Sequence, residues 1–220
     1  MRSFKLSTPY NFNTMRKATL ACLLTLFLYL PAYAQQVNPY LIPERANSRI
    51  NASVEIAKYL KNAGYKNMAV VYMETSDLCA LFAASLVASL KTLGVEAYYV
   101  RGGEGLEERL KSLQPMHVYM AYFGERPHDE VQRHFNADIK RVLKYDKKPS
   151  LVLQPALLGM GFISGLVVDD EISQALNRHP MLSFVFEEGK LKPARVELRD
   201  LEVKVNVEEV KPKPTPKRGR

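Results

Sequence analysis

The sequence has little with which to build metal, redox or nucleophilic chemistry. Two cysteines, Cys22 and Cys79, occur in 220 residues, and the first lies in a leader described below, so the mature chain has no internal disulfide to form. Cys79 sits inside "LCALFAASLVASL", an apolar setting that reads as a small core residue and not as a nucleophile. The four histidines, His117, His128, His134 and His179, lack HExxH spacing and have no clustered cysteine, so no metal site is supported. "RGGEG" at 101–105 shares only glycine content with phosphate loops, without GxGxxG spacing or the Lys-Ser/Thr of a Walker loop. Ser164, in "GMGFISGL", is not in a nucleophile elbow. No two carboxylates stand in an arrangement that implies acid/base work. The sequence makes no case for an enzyme and implies no cofactor.

A basic folded surface is also lacking. The formal charge is +8, but it belongs to the two ends. Removing residues 1–34, with four cations (Arg2, Lys5, Arg16, Lys17) and no acid, leaves +4; setting aside the five cations from residue 211 onward leaves −1 for residues 35–210. A nucleic-acid-binding domain would carry its basic face on the fold, so nucleic acid is not expected as a partner. The tail "KPKPTPKRGR" alternates proline with cations and reads as an extended, disordered arm. It is a solubilising terminus or a contact for an anionic envelope surface.

Nor is there a long membrane span. From Met15, "MRKATLACLLTLFLYLPAYAQQ" has basic residues, a short apolar run broken by Pro31, and the small-residue site Ala32-Tyr33-Ala34. That order is a secretory signal with cleavage after Ala34, and the run falls short of the roughly 20 apolar residues of a transmembrane helix. Cys22 precedes most of the apolar core, which argues against lipidation there. The mature chain is then expected to be periplasmic or secreted, as one domain over 35–210. Translation from Met1 or from Met15 is left open.

What is present is an alternation of helices and strands. "INASVEIAKYLKNAG" has a cap signal at Asn51, apolar spacing through Val54, Ala57 and Leu60, and Gly64 as a stop. Strands are expected at 68–73, 95–100, 117–123, 150–154 and 162–168, with helices at 77–93, 105–113, 128–145 and 169–179. The strands are continuous apolar runs, as when helices cover both faces of a parallel sheet. After 179 the pattern changes to a hairpin turning at Glu188-Gly189-Lys190 and a strand at 201–207 with alternating valines. The expected fold is α/β, a doubly wound, mostly parallel sheet with a C-terminal antiparallel hairpin appendix.

In such sheets ligands sit beyond the carboxyl ends of the strands. The loops to inspect supply Glu74, Thr75, Ser76 and Asp77; Arg101 with Gly102 and Gly103; Gly124, Glu125 and Arg126, with Phe123 and His128 beside them; and Gln154. Thr75, Ser76 and Asp77 equally suit the cap of the next helix. Between residues 78 and 90 only Ser85 and Ser89 are polar, so that helix needs cover on more than one side. A homodimer or a stable hetero-complex through it, or the segment 35–62 of the same chain, would provide that cover.

The run "AVVYMETSDLCALFAASLVASLKTLGVEAYYVRGGEGLEERLKSLQPMHVYMAY", followed by "KPSLVLQPALLGMGFISGLVVDDEISQAL", resembles the second lobe of ABC-transporter substrate-binding proteins of the type I periplasmic binding fold. The resemblance covers about residues 65–207 and rests on the strand, polar loop and long-helix order, the "LGV" strand and the closing "VNVEE". It implies a flavodoxin-like topology, a small solute as ligand, and binding loops at 74–77 and 123–126. It reaches one lobe only, since residues 35–66 cannot make a second. In outline "FISGLVV" and "SFVFEEGKLKP" are also similar to the YfiR-like periplasmic family. The first resemblance implies a solute- or signal-binding module feeding a transporter permease, a TonB-dependent receptor or a sensor kinase. The second implies a protein–protein interaction module without a small ligand.

Overall fold

A computed structural model describes residues 43–145, 147–167, 170–188, 190–199 and 202–207. The expected signal segment, its cleavage site and the basic tail lie outside the described residues. One compact unit runs from Pro43 onward, and it opens with a helix, α1 (Pro43–Asn62). The sequence pattern placed that start near Asn51, eight residues late. Proline costs nothing in a first helical turn, where its missing N–H has no partner to lose. The buried side chains of α1, Ser53, Ile56, Ala57 and Leu60, lie only in its second half, so the first half carries no apolar stripe to read.

Alternation then proceeds as β1 (Asn67–Tyr72), α2 (Asp77–Thr92), β2 (Glu96–Arg101), α3 (Leu106–Leu113), β3 (His117–Ala121), α4 (His128–Leu143) and β4 (Ser150–Leu153). Each of these lies within two residues of its expected bounds. Met68, Ala69, Val70 and Val71 in β1 are wholly buried, because a central parallel strand is covered on both faces. The strand order is β2-β1-β3-β4, parallel throughout. The chain moves outward from β1 to β2 and back across to β3. Right-handed crossovers therefore put α2 on one face and α3 and α4 on the other.

The expected strand at 162–168 is absent. The crossover after β4 is three short helices, α5 (Pro155–Gly159), α6 (Ser164–Val167) and α7 (Asp170–Leu176). Phe162, Ile163, Leu166 and Val167 are buried, a one-four spacing that fits a helical face, and Gly161 turns the chain with φ +76. Gly165 lies so close to the Gln132 amide that a Cβ would meet it at 2.6 Å. A short apolar run does not by itself tell strand from helix, and here the turn and the close contact decide.

The fifth parallel strand is instead β5 (Met181–Glu187), which pairs with β4 at Leu151↔Met181 and Val152↔Leu182. Its far end forms the expected hairpin with β6 (Lys190–Arg199), and β7 (Glu202–Val207) pairs antiparallel beyond it. The hairpin thus extends the parallel sheet to seven strands. Valine alternation in β7 does not bring burial, since Val205 and Val207 are 38% and 45% exposed.

Helix α1 settles on α2, where Ser53 Oγ lies 2.6 Å from Ser85 Oγ. It also reaches β5, where the Tyr59 and Phe184 rings meet edge to face at 5.3 Å. Within the chain, α1, part of the expected segment 35–62, lies over α2. Ala84 and Ala88 are left exposed.

Candidate functional site

At the carboxyl end of the sheet most polar groups answer one another. Ser76 is the N-cap of α2, its Oγ accepting from the Cys79 N–H at 3.1 Å. The next free amide, Leu78 N–H, donates to Glu125 Oε2 at 2.9 Å, and Glu125 is only 7% exposed. A carboxylate from the β3–α4 loop thus sits where an anionic ligand would meet the helix N-terminus. Thr75 Oγ1 donates to Glu130 Oε1 at 3.2 Å, and Arg126 Nε reaches the same oxygen at 3.2 Å. Glu74 pairs with Arg101 across 3.5 Å. Gly124 lies under the thioether of Met160, and His128 stacks on Phe162 with Nε2 3.1 Å from the Met160 carbonyl. Asp77 is exposed on the first turn of α2. The structure therefore brings the 74–77 and 123–126 loops together, through the Glu125 carboxylate on the Leu78 amide and through Glu130, which meets both Thr75 and Arg126.

Gly102 of "RGGEG" has a structural cause in Asp138, a residue not singled out from the sequence. This aspartate is 1% exposed on α4. It accepts from Gly103 N–H at 2.9 Å, from the Tyr122 hydroxyl, and from Arg141 Nη1 at 2.8 Å. A Cβ on Gly102 would meet the Asp138 carboxylate at 2.4 Å and the Tyr72 carbonyl at 2.9 Å. Arg109 clasps the loop from below, donating to the carbonyls of Arg101 at 2.7 Å and Glu104 at 2.9 Å. Burial, followed by the Asp138 charge, pushes the Tyr122 hydroxyl well above its ordinary pKa, so it stays a donor. The signal was present: Asp138 falls on the stripe Val131, Phe135, Val142, where a carboxylate needs a buried partner.

Other titratable groups are similarly enclosed. Burial pushes the Cys79 thiol up to about 12, so it is protonated at ordinary pH and unreactive. Burial also lowers the His117 pKa; its Nδ1 meets Ser150 Oγ, and its ring packs on Tyr65 at 4.4 Å. Among the described residues no cluster of His, Cys, Asp or Glu is arranged to hold a metal, and no helix is long and apolar enough to cross a membrane.

One region differs. Between α1 and the β5–β6 hairpin runs an open groove of about 1270 Å³. Its wall includes Arg49, Glu55 and Tyr59 from α1, Gln154 at the end of β4, and Phe184 and Leu191 from the hairpin. Gln154 is 3% exposed, and its Oε1 accepts from the Tyr119 hydroxyl. That bond turns the amide NH2 toward the groove, where no acceptor among the described residues meets it. Arg49 is half-buried, its guanidinium over the Phe123 ring at 4.5 Å from the centroid. It forms no ion pair within the described residues; the nearby Glu125 carboxylate accepts from the Leu78 N–H. Burial lowers the Arg49 pKa, with Cys79 raising it and Arg45 lowering it by smaller amounts. Of the residues singled out from sequence only Gln154 lines this groove. Arg49 was missed because it precedes the apolar stripe of α1.

A family model described as "Uncharacterized protein" matches residues 45–214. A protein of Aquifex aeolicus (strain VF5), also described as an uncharacterized protein, is 38% identical over 146 residues, covering 66% of this chain and 70% of that one. Among solved structures, a putative branched-chain amino acid ABC transporter from Rhodospirillum rubrum is similar with a TM-score of 0.47 and 14% identity. It is covered over 37% of its length and covers 63% of this chain. An ABC transporter substrate-binding protein from Desulfitobacterium hafniense, in complex with Leu, gives a TM-score of 0.42 at 12% identity, with 63% and 36% of the two chains covered. The chain thus spans little more than a third of those two structures. By the match over residues 45–214 and the relative at 38% identity, the chain belongs to the family described as uncharacterized protein.

Proposed function

We propose that this chain is an exported, non-catalytic receptor-like module that binds a small solute or signal in the groove between α1 and the β5–β6 hairpin. The observation that carries the reading is the groove itself: a concave surface with an aromatic floor, lined by Arg49 and Gln154, whose remaining donors meet no acceptor among the described residues. Ligand sites have this composition, mostly apolar with a few convergent polar groups. Export is supported by the charge, apolar core and small-residue order ending at Ala34. A transporter permease, a TonB-dependent receptor or a sensor kinase would receive the signal, and the basic tail would rest on an anionic envelope surface.

The test uses the full chain expressed with its own leader. Intact mass of the exported protein should correspond to a start at Gln35; a retained leader overturns export. A solute library screened by thermal shift should return ligands that raise Tm, because binding only the folded state stabilises it. If no solute does so, the binding reading fails. A second reading, contact with another protein and no small ligand, is favoured by the apolar side chains exposed at the C-terminal strands: Phe186 at 67%, Val205 at 38% and Val207 at 45%.

A further inference from the structure

The groove has a chemical preference that its shape alone does not express. Among the described residues, no acceptor engages the hydrogen-bond donors of Arg49. The contact with Phe123 is made by the guanidinium carbon over the ring, a cation–π contact that engages the π-face and leaves the N–H fork free. A half-buried guanidinium with an open fork is most strongly satisfied by a planar, doubly accepting anion, and a carboxylate matches it in width and charge. Among the described residues no acid is ion-paired with Arg49, Glu44 on the same wall included. Glu55, on the same wall, is taken by Lys58 at 2.8 Å. Glu125, the acid whose charge most directly reaches Arg49, gives an oxygen to the α2 N-terminus.

The rest of the groove describes the body of the ligand. Gln154 adds a second donor whose orientation is locked by Tyr119. No acceptor among the described residues meets its amide nitrogen, which leaves that donor to the contents of the groove. Lys190 brings a further cation to the wall. The floor is apolar: Ile56 and Phe184 are buried, Tyr59 packs edge-on against Phe184, and Leu191 lies partly buried at the rim.

We propose that the groove between α1 and the β5–β6 hairpin binds an organic carboxylate with an apolar body, the carboxylate on the Arg49 fork and the Gln154 amide, the body over Tyr59 and Phe184. This deepens the proposed solute-binding role and rests on it. The carboxylate has two sources, a free small acid or the C-terminus of a peptide.

Calorimetric titration of the exported protein separates these outcomes. The probes are hexanoate and 3-phenylpropionate, each against its neutral amide, and a Gly-Gly-Leu-Phe peptide with free and amidated C-termini. The acids should bind at least about tenfold more tightly than their amides, as a bidentate charged pair is worth roughly twice a neutral hydrogen bond. Arg49→Gln should abolish that preference. Arg49→Lys, which keeps the charge and the ring contact but not the fork, should weaken acid binding about tenfold; it also provides a folded control if the first variant proves unstable. A free-terminus peptide that binds while both small acids do not assigns the carboxylate to a protein end and still supports the proposal. Equal affinity for acids and amides, unchanged affinity in Arg49→Gln, or no binding of any carboxylate probe overturns it. If a neutral solute binds nonetheless, the solute-binding reading survives and the carboxylate assignment alone is lost.

Discussion

The Asp138 knot and the Arg49 groove place two charged side chains in opposite circumstances. Asp138 is almost fully buried and has three partners of its own chain, the Gly103 amide, the Tyr122 hydroxyl and Arg141. Arg49 is half-buried and has an aromatic ring but no counter-ion among the described residues. Burying a charge is costly unless it is paired and hydrogen-bonded. Asp138 meets that condition and so serves stability, whereas Arg49 meets only half of it, at the edge of an open groove. The difference teaches where function is to be sought: at donors left unanswered, not at every polar loop beyond a strand.

The comparison breaks most visibly if Asp138 is removed. Asp138→Ala leaves Gly103 N–H and the Tyr122 hydroxyl unpaired and Arg141 without its acid, so it should cost about 3–5 kcal/mol. Urea unfolding of the variant measures this; a loss below about 1 kcal/mol would mean that the knot does not hold the β2–α3 turn. Next comes Glu125→Ala, which strands the buried Leu78 amide at the start of α2. A cost of about 1–3 kcal/mol follows from the unsatisfied donor, without loss of solute binding if the groove and not this loop is the site. Loss of binding with intact stability would reverse the assignment between the two regions.

For Arg49→Gln the expected stability change is smaller, about 0.5–1 kcal/mol, the worth of a cation–π contact. A loss as large as that of Asp138→Ala would show Arg49 to be structural. The smallest effect concerns pH. Burial depresses the folded-state pKa of His117, so the unfolded chain binds its proton first as pH falls. Stability is full above the unfolded value of about 6.5 and declines as pH drops below it toward the folded value. His117→Gln should flatten that decline in urea titrations between pH 7.5 and 5, and an unchanged slope would assign the decline to other groups.

Much of this architecture was legible because periodicity reports burial. The continuous run of β1 and the stripe of α4 gave their positions within a residue or two, since a strand covered on both faces must be apolar throughout. The same reasoning failed at 162–168, where a turn at Gly161 and the contact of Gly165 with Gln132 bend an apolar run into short helices. It also failed at the first half of α1, which is helical but buries nothing. Among candidate site residues, the 74–77 and 123–126 loops were located correctly in the fold, but their mutual pairing was invisible in one dimension. Glu125 and Leu78 are 47 positions apart, and no local spacing announces that bond.

The sequence by itself determined the order of strands and helices from β1 to β4, their parallel sheet, and the confinement of positive charge to the two ends, because each follows from local pattern and composition. Only the tertiary structure decided which polar groups found partners. It laid α1 over α2, let Glu125 cap that helix, and enclosed Asp138 behind Gly102 and Gly103. It also left Arg49 and Gln154 facing one groove. The physical reason is that satisfaction of a buried charge or donor depends on atoms within about 3 Å, and the fold brings those atoms from distant parts of the chain.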